Sequence, residues 1–354
     1  MRQSRKLDHL KYSLALKDGP ANNGFSDISL IHNCLPNLSL NDIDISTSIA
    51  GIPLCQPLII NAITGGANDV TPINECLAEF ASRTNTAMAI GSQYAALENP
   101  EVQYSYKIVR KKNPLGIIFA NVGAYVTPEQ AQLAVDMIDA QGLQIHLNVA
   151  QEIMMTEGDR DFTGYLTNIA SIVNTVNVPV IIKEVGCGIA REQANLLAQI
   201  GIKAIDVGGT GGTNFLAIEA ARRQLEANLE TLSWGIPTVI SAVEVISALP
   251  KYIDTMISGG IRTSLDVVKS LALGGVATGM ATPIVRMLHE KGIDSAVSWF
   301  QQFIYEIQCY MLLLGAENVK QLGRTPLIIS GYSKDWLMTR GIDVTKYAIN
   351  RKHG

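Results

Sequence analysis

Four polar residues, His146, Asn148, Gln151 and Glu152, follow a short apolar run of the sequence. In an extended segment His146 and Asn148 point to the same side, because side chains alternate along a strand. No cysteine or serine beside them offers an obvious nucleophile, so the pattern favours binding over covalent catalysis. The group suits a polar head, and Glu152 suits a divalent cation.

Two glycine-rich segments are typical of a phosphate site. Ser258-Gly-Gly-Ile-Arg-Thr precedes a predicted helix at Leu265–Leu273, and its glycines and the helix N-terminus offer backbone N–H groups. Gly279-Met-Ala-Thr-Pro follows the next apolar run and offers a second set of amides to the same anion. The alternative is that these glycines only permit tight turns, but that does not explain the same pattern in two adjacent loops.

Lys183 ends a Val/Ile-rich run, where an unpaired charge would be costly to bury. It either pairs with Glu184 or Asp206 or contacts an electron-rich cofactor. A reduced flavin, which is anionic near N1 and O2, is a natural partner for such a lysine. Together with the phosphate site, Lys183 indicates FMN.

The chain begins with a basic segment that contains Arg2, Arg5, Lys6 and Lys11. One interpretation is a solvated basic terminus. The other is a mobile arm whose Arg5-Lys6 pair closes on an anionic substrate, because an arginine fork and a lysine charge together suit a diphosphate.

These polar groups stand at the ends of eight short, nearly uniformly apolar runs, as in parallel strands buried on both faces. Repeating strand–helix units predict a parallel sheet with right-handed crossovers, and eight units close a barrel with its active site at the C-terminal strand ends. The predicted fold class is therefore α/β, a (β/α)8 TIM barrel with an N-terminal extension; a doubly wound open sheet is the alternative. The predicted strands are Leu58–Asn61, Ala87–Ile90, Leu115–Asn121, Leu143–Asn148, Val178–Glu184, Ala204–Val207, Thr255–Ser258 and Val276–Gly279.

Helical periodicity separates the strands, for example at Pro128–Gln141 and Arg191–Ile200. The run that begins at Ile236 could be a ninth strand, but Pro237 suits the first turn of a helix that continues to about Leu249. The sixth unit carries an insertion around Glu219–Ser233. We expect an N-terminal extension with a basic substrate-closing arm at 1–56, an FMN-binding barrel at 57–315, and a tail at 316–354 that is a helix remnant with a polar end.

Composition excludes several classes of protein. Of 354 residues, 47% are hydrophobic and only 17% charged, which excludes intrinsic disorder. A net charge of −4 provides no global field for nucleic acid. The stretches Ile45–Asn68 and Phe162–Ile182 are interrupted by Pro, Gly or Asn and predict no membrane span, and the start has no apolar signal segment. Five widely spaced cysteines are typical of core residues in a reducing compartment, so we expect a cytoplasmic protein without nucleic-acid or membrane partners.

Several motifs occur in order along the chain and carry a family resemblance. With them the sequence resembles the type 2, FMN-dependent isopentenyl-diphosphate isomerases over essentially its whole length. The His146 motif together with the basic N-terminal pair is specific, whereas Gly-Gly-Ile-Arg is shared by many FMN barrels. The motifs are Arg5-Lys-x-x-His, Ala62-Ile-Thr-Gly-Gly, Gly91-Ser-Gln, His146-Leu-Asn-x-x-Gln-Glu, Glu157-Gly-Asp-Arg, Lys183-Glu-Val-Gly, Asp206-Val-x-Gly-x-Gly-Gly-Thr and Gly259-Gly-Ile-Arg-Thr.

The resemblance implies a (β/α)8 barrel with FMN kept reduced by NADPH or NADH, and with Mg²⁺. It implies interconversion of isopentenyl and dimethylallyl diphosphates without net redox change. The family mechanism resembles acid–base catalysis by the reduced flavin, with N5 near the migrating proton and Gln151 assisting. The resemblance and the low charge fraction also favour a homo-oligomer, a tetramer or octamer.

The resemblance assigns roles by motif position. Gln151 would be the catalytic residue in contact with the substrate, and Glu152 would reach Mg²⁺. The diphosphate substrate would be bound by Arg5, Lys6, His9, Ser92, Gln93, His146 and Asn148. FMN would be bound by Ala62, Ile63, Thr64, Ser92, Asn121, Lys183, Gly208, Thr213, Gly259, Gly260, Ile261, Arg262, Met280 and Ala281.

Three residues depart from the family pattern. Tyr94 stands where many members have an arginine that contacts the diphosphate, which puts that contact in doubt. Gly208 stands where serine is common, so a hydroxyl contact to FMN is lost while the backbone N–H remains. Ile63 replaces a frequent methionine with little change in volume.

Two other functions compete with this one. Another FMN barrel, of the hydroxy-acid oxidase or dihydroorotate-dehydrogenase type, would need a committed base, but His146 is the only histidine at a predicted strand end and belongs to the diphosphate motif. A non-catalytic flavin or phosphate sensor would not need the pair Gln151 and Glu152.

Overall fold

The computed structural model of the chain describes residues 11–16, 19–63 and 65–349. Eight parallel strands form a closed barrel in chain order, and the eighth pairs with the first, Thr278 opposite Leu58. The predicted (β/α)8 barrel is confirmed and the open-sheet alternative is wrong. The first to eighth barrel strands are Leu58–Ile60, Ala87–Ala89, Ile118–Gly123, Gly142–Leu147, Val180–Glu184, Ala204–Asp206, Asp254–Ser258 and Ala277–Met280.

Helices follow the strands and cover the barrel. The α-helices are Thr71–Thr84, Tyr94–Glu98, Tyr104–Lys112, Pro128–Met137, Val149–Met154, Tyr165–Thr175, Arg191–Ala198, Phe215–Arg222, Leu229–Leu232, Thr238–Ala248, Ser264–Leu273, Thr282–Leu314, Val319–Leu322 and Gly331–Thr339. Short 3-10 turns occupy Phe25–Asp27, Leu40–Asp42, Asn68–Val70, Pro100–Val102 and Val344–Ala348. The run after Pro237 is helical, as predicted, and the insertion of the sixth unit contains two of the helices.

The third strand begins later than its sequence predicts, by the largest shift among the eight strands. The third strand starts at Ile118 instead of Leu115, and Leu115 is 97% exposed. The chain turns there between Pro114 and Gly116, and Arg110 donates to both of their carbonyl oxygens, at 3.2 and 2.8 Å. Leu115 is therefore apolar without belonging to the core.

Each barrel strand is buried on both faces, which explains its uniformly apolar sequence. Leu58 and Ile60 face the surrounding helices, whereas Ile59 faces the barrel interior together with Phe119 and Met256. A hairpin of the strands Thr47–Ile49 and Ile52–Leu54 packs into the same interior cluster. Because this hairpin closes the N-terminal end of the barrel, the open end is the one at which the strands terminate.

The tail beyond Gly315, expected to be a helix remnant with a polar end, folds onto the rest of the chain. A strand at Leu327–Ile329 pairs antiparallel with Ile28–Leu30 near the N-terminus, and Leu327 is fully buried. The helix Gly331–Thr339 then packs on Thr238–Ala248. Where the chain divides into units, at 56 and 315, stays a prediction.

Replacing Arg340 by methionine is expected to lower the free energy of unfolding by about 2 kcal/mol. Arg340 Nε lies 2.9 Å from Oε1 of Glu244, a carboxylate only 1% exposed, and Nη2 lies 2.6 Å from Glu192. The substitution leaves Glu244 buried without its cation. Urea unfolding measures the loss, with Lys334→Met, an exposed residue of the helix that Arg340 follows, as the control. Equal stability of the two variants would contradict the ion pair's role.

The five cysteines form no disulfides. Cys34 and Cys55 are exposed and the other three are partly buried, so the expectation that they are core residues is wrong. Within the described residues, no helix is long and apolar enough to cross a membrane.

Candidate active site

The loops that follow all eight barrel strands line one cavity at the open end of the barrel. Its volume is about 1530 Å³, including the part open to solvent. The lining comes from Asn61–Ile63, Gly91, Ser92, Tyr94 and Ala95, Asn121 and Tyr125, His146 to Met155, Lys183–Gly186, Gly208 to Phe215, Ser258–Ile261, and Gly279–Pro283, with Ser13 at one side.

A chain of hydrogen-bonded side chains crosses the floor of the cavity. Asn61 Nδ2 donates to Asp206 Oδ2 at 2.8 Å and accepts at Oδ1 from Gln144 Nε2 at 3.5 Å. Gln144 Oε1 accepts from Asn121 Nδ2 at 3.3 Å, and Asn121 Oδ1 lies 2.9 Å from His146 Nδ1. In this arrangement His146 donates from Nδ1, so the network fixes both the ring and its tautomer.

Lys183 lies at this floor and is almost completely buried. Its Nζ is 3.9 Å from Asp206 Oδ2 and donates to the backbone oxygen of Glu184 at 3.0 Å. Of the two sequence-based pairings, the structure thus shows the one with Asp206. The ammonium has three N–H donors and lines the cavity, so it can also donate to a bound group.

The Glu184 carboxylate is directed away from Lys183, into its own turn. Its Oε2 accepts from the backbone N–H of Gly186 at 2.7 Å and of Gly188 at 3.1 Å, and also from Cys187 N. Burial raises the pKa of Glu184 to about 7 in spite of these donors. The carboxylate organises the loop that follows Lys183.

The raised pKa of Glu184 predicts a pH dependence of stability. Between its ordinary pKa of 4.5 and about 7, the folded chain holds a proton that the unfolded chain has lost. Stability is therefore fully present below pH 4.5 and declines as pH rises through 7, by roughly 3 kcal/mol relative to Glu184→Gln. Urea unfolding of both proteins between pH 4.5 and 8 tests this, and parallel curves would contradict it.

The loops after the sixth and seventh strands meet backbone to backbone. A Cβ on Gly259 would lie 2.2 Å from Gly209 O, and one on Gly212 would lie 2.6 Å from Gly260 N. Gly259 and Gly260 also have φ of +109° and +74°, which favour glycine. Among the described residues, no acceptor binds the N–H groups of Gly260 and Ile261.

A long helix starts at the same place. Thr282–Leu314 has no side-chain hydrogen bond at its N-cap, Ala281, and the hydroxyls of Thr282 and Thr213 lie 2.6 Å apart beside it. Helix N-termini and unused backbone amides bind anions. This corner of the cavity therefore has donors that could hold a phosphate, and we call it the phosphate cradle.

The cradle differs in one respect from the sequence-based expectation. The helix after the seventh strand, Ser264–Leu273, was expected to offer its own N–H groups, but Thr263 and Asp266 cap it. Asp266 Oδ2 also accepts from the backbone N–H of Arg262 at 3.0 Å. These bonds use the backbone N–H groups of Arg262, Thr263 and Asp266 within the protein, so they are not available to an anion. That this loop binds a phosphate stays a prediction.

FMN fits this cavity by the chemistry of its lining. The cradle offers amides and hydroxyls to a phosphate, and Lys183 and the amide-rich floor suit the polar edge of a flavin ring. Close glycine backbones leave the room that a cofactor needs.

Gln151 lies on the short helix Val149–Met154 and has a fixed orientation. Its Nε2 donates to Oε1 of Glu219 at 3.1 Å, and Glu219 is fully buried and paired with Arg222. Arg222 in turn lies 3.1 Å from Glu157. Because the nitrogen of Gln151 is held by a carboxylate, its Oε1 is the end of the amide left to accept hydrogen bonds.

Glu152 lies beside it with both oxygens engaged. Oε1 accepts from Asn148 Nδ2 at 2.8 Å, and Oε2 accepts from the Asp159 backbone N–H at 3.0 Å. Each oxygen keeps a second lone pair for a cation. Within the described residues, no group of three or more His, Cys, Asp or Glu side chains could hold a metal ion. Mg²⁺ fits only as an ion that takes one carboxylate and completes its shell with substrate oxygens and water.

The structure brings most of the predicted site residues to the cavity. Those that line it are Ala62, Ile63, Ser92, Asn121, His146, Asn148, Gln151, Glu152, Lys183, Gly208, Thr213, Gly259, Gly260, Ile261, Met280 and Ala281. Arg5, Lys6, His9 and Thr64 lie outside the described residues.

Two predicted residues do not line the cavity. Gln93 is fully buried, and its amide donates to Ala134 O at 2.7 Å and accepts from Asn121 N at 3.0 Å, so it joins the loop of the second strand to the third. The Arg262 side chain is exposed and donates to the carbonyls of Gly260 and Gly211, tying two loops of the cradle together.

The structure shows the surroundings of two residues that depart from the family pattern, Tyr94 and Gly208. Tyr94 packs edge to face on Tyr125, with ring centroids 5.0 Å apart, and both line the cavity. A Cβ on Gly208 would lie 1.9 Å from Glu184 O, and its φ is +48°, so a serine side chain would collide with this oxygen.

The described N-terminal segment is bound to the rest of the chain by Arg286. At the cavity edge, Arg286 donates to the carbonyls of Ser13 and Leu16, at 3.2 and 2.9 Å.

Known proteins resemble the chain in fold and in sequence. A solved variant of flavocytochrome b2 superposes with a TM-score of 0.69 at 18% identity, covering 94% of this chain and 87% of that one. A lactate oxidase from Pediococcus acidilactici gives 0.65 at 17% identity, covering 88% and 86%. The FMN-dependent dehydrogenase family profile matches residues 110–329. Fold, cavity and profile together define an FMN-dependent barrel protein.

Relatives that match over nearly the full length of the chain identify its family more narrowly. An isopentenyl-diphosphate delta-isomerase of a Geobacillus species is 46% identical, over 98% of this chain and 99% of the relative. Another from Symbiobacterium thermophilum is 44% identical over 98% of both chains, and one from Staphylococcus aureus is 42% identical over 97% and 98%. The chain therefore belongs to the isopentenyl-diphosphate delta-isomerase family, and within it to the FMN-dependent, type 2 members.

Proposed function

We propose that the protein interconverts isopentenyl diphosphate and dimethylallyl diphosphate. A proton is added at the terminal methylene carbon and another is removed from the carbon next to the diphosphate-bearing one, so no net oxidation occurs. The observation that carries this proposal is Gln151, oriented by the buried carboxylate of Glu219 beside Glu152, in a cavity built for a flavin phosphate.

FMN would be held by the cradle and by Lys183, with NADPH or NADH as reductant. When bound and reduced, it supplies an electron-rich ring that can exchange a proton. The residues assigned by resemblance that line the cavity would bind it directly, whereas Arg262 would act by holding the cradle loops together. Thr64 completes the set by motif position.

The diphosphate would be bound by Arg5, Lys6, His9, Ser92, His146 and Asn148. His146 is held by Asn121, and Asn148 lies 2.8 Å from Glu152, so a diphosphate on these groups would meet Mg²⁺ at Glu152. Gln93 would act through Asn121, whose backbone N–H it binds. The described N-terminal residues support a closing arm, because Ser13 lines the cavity only a few residues after the basic pair.

Gln151 would offer its Oε1 to the substrate while Glu219 holds its nitrogen. Met155, at the end of the same helix, and Phe215, on the helix that carries Glu219, line the cavity and make that part apolar. The positive charge that develops on the substrate carbons would be open to attack by water, so an apolar wall that excludes water protects the substrate.

Further aspects of the proposal concern the whole molecule. We propose units at 1–56, 57–315 and 316–354, a cytoplasmic location, a homo-oligomer of four or eight copies, and no nucleic-acid partner. Assembly would bury two exposed apolar side chains, Leu229 in the insertion and Trp234 just after it.

The competing functions have less support. Solved structures of a mandelate oxidase and a lactate oxidase resemble this chain at 15% and 17% identity, which supports a shared fold alone. They would need a committed base, and among the described residues His146 is the histidine that lines the cavity, bound through Nδ1 to Asn121. A flavin sensor would have no use for the oriented pair Gln151 and Glu152.

Solvent isotope incorporation tests the proposed proton chemistry. The holoenzyme is reduced with NADPH in D₂O with Mg²⁺ and incubated with isopentenyl diphosphate. We expect deuterium in a methyl group of dimethylallyl diphosphate, because the added proton comes from an exchangeable site. An allylic product without deuterium would contradict addition of a solvent-exchangeable proton, and no allylic product would contradict the activity.

A further inference from the structure

The motif Glu157-Gly-Asp-Arg follows the helix that carries Gln151 and Glu152. None of its residues has a role in the proposed binding of FMN, substrate or metal. The segment folds back over Glu152. The Asp159 backbone N–H donates to Glu152 Oε2 at 3.0 Å. The segment therefore touches the carboxylate that we assign to Mg²⁺.

Gly158 makes this approach possible. A Cβ at this position would lie 2.1 Å from the backbone oxygen of Glu152 and 2.9 Å from its Oε2. A side chain would have to displace either the helix end or the carboxylate. The glycine is thus required by the fit against Glu152.

Arg160 locks the segment in place. Its Nη1 donates to the carbonyls of Glu152 and Gly158, at 2.7 and 2.8 Å, and its Nη2 donates to Met155 at 2.6 Å. One planar guanidinium thereby joins the end of the helix to the loop, a geometry that the lysine ammonium cannot reproduce. The last carbonyls of a helix need such donors.

We propose that Gly158–Arg160 is a positioning element for Glu152 that sets the affinity of the site for its divalent cation. The inference rests on the proposed function, which places a cation at Glu152. Asn148 and Asp159 each donate a hydrogen bond to one oxygen of the Glu152 carboxylate. These bonds fix the orientation of the carboxylate, so its remaining lone pairs are already positioned when the cation binds. Residues that orient a metal ligand typically contribute 10- to 100-fold in metal affinity.

Binding of Mn²⁺ as a substitute cation tests this directly. Free Mn²⁺ is measured by electron paramagnetic resonance in titrations of the FMN holoenzyme with inorganic pyrophosphate. Arg160→Lys is expected to raise the Kd of Mn²⁺ about tenfold without changing FMN content. Gly158→Ala is expected to act in the same direction and serves if the first variant folds poorly.

A double-variant cycle separates positioning from general damage. In a Glu152→Gln background, Arg160→Lys should cause no further loss, because the ligand through which it acts is gone. The matched control is Arg110→Lys, which also joins backbone carbonyls, those of Gly116, Ile138 and Asp139, away from the cavity. It should leave the Kd unchanged.

The outcomes separate the two proposals. Equal Kd values for wild type and Arg160→Lys, or the same loss in both backgrounds, would overturn the positioning role. A wild-type protein that isomerises without binding Mn²⁺ or Mg²⁺ would overturn it too, while leaving the activity intact. Tight, Arg160-dependent Mn²⁺ binding without isomerisation would support positioning and contradict the proposed function.

Discussion

Replacing Gln151 by alanine is expected to lower turnover of isopentenyl diphosphate about 100-fold or more, while FMN stays bound. The amide lies on a short helix after the fourth strand, whereas the phosphate cradle is built after the sixth, seventh and eighth strands, so its loss removes no residue of the cradle. Its oxygen is turned toward the substrate because Glu219 holds its nitrogen.

Steady-state rates with NADPH and Mg²⁺, and FMN content by absorbance, measure this effect. Glu219→Gln should share part of the loss, since a neutral amide no longer dictates which end of Gln151 faces inward. Gln302→Ala, on the surface helix after the barrel, is the control for a lost glutamine. Wild-type turnover by Gln151→Ala would exclude the residue from catalysis.

The joint substitution Arg5→Ala and Lys6→Ala is expected to weaken binding of the diphosphate substrate about 100-fold, or roughly 3 kcal/mol. Charge-assisted hydrogen bonds to phosphate oxygens are among the strongest that a protein makes, and the pair would provide two such groups. The basic pair precedes Ser13, which borders the cavity, and the proposed arm would extend from there to the substrate.

Isothermal titration of the FMN holoenzyme with isopentenyl diphosphate and Mg²⁺ provides the affinity. The matched control is Arg351→Ala with Lys352→Ala, an adjacent basic pair near the other end of the chain that the proposal leaves out of the site. If the double variant and the wild type bound the substrate with equal affinity, the proposed role of the arm would be contradicted, and the segment would be a solvated basic terminus.

Most of the barrel was predictable because its strands are buried on both faces. Such strands are nearly uniformly apolar, and polar residues appear where the strands end, as at Asn61 and Ser258. Apolar residues next to a strand make its first residue hard to predict, as Leu115 does for the third strand. The folded tail was missed because a three-residue strand such as Leu327–Ile329 gains its stability only from its distant partner.

The site was predictable as a set of neighbouring residues but not as a geometry. Motif position assigned Gln93 to the substrate and Arg262 to FMN, yet their side chains donate to backbone carbonyls and do not line the cavity. Glu219 was only the edge of an insertion, although a buried helix with Glu219 and Arg222 three residues apart carried a signal. Its contact with Gln151 joins the sixth loop to the fourth, and such tertiary contacts are not written in local sequence.

The central claim, isomerisation without net redox change, is tested most directly by an anaerobic assay. Purified protein, FMN, Mg²⁺ and isopentenyl diphosphate are mixed with and without NADPH, and both the allylic product and the NADPH consumed are quantified. We predict product only with NADPH, in large molar excess over the NADPH used. Absence of the allylic product, with NADPH reducing the flavin stoichiometrically, would contradict the isomerase and favour an FMN-dependent oxidoreductase.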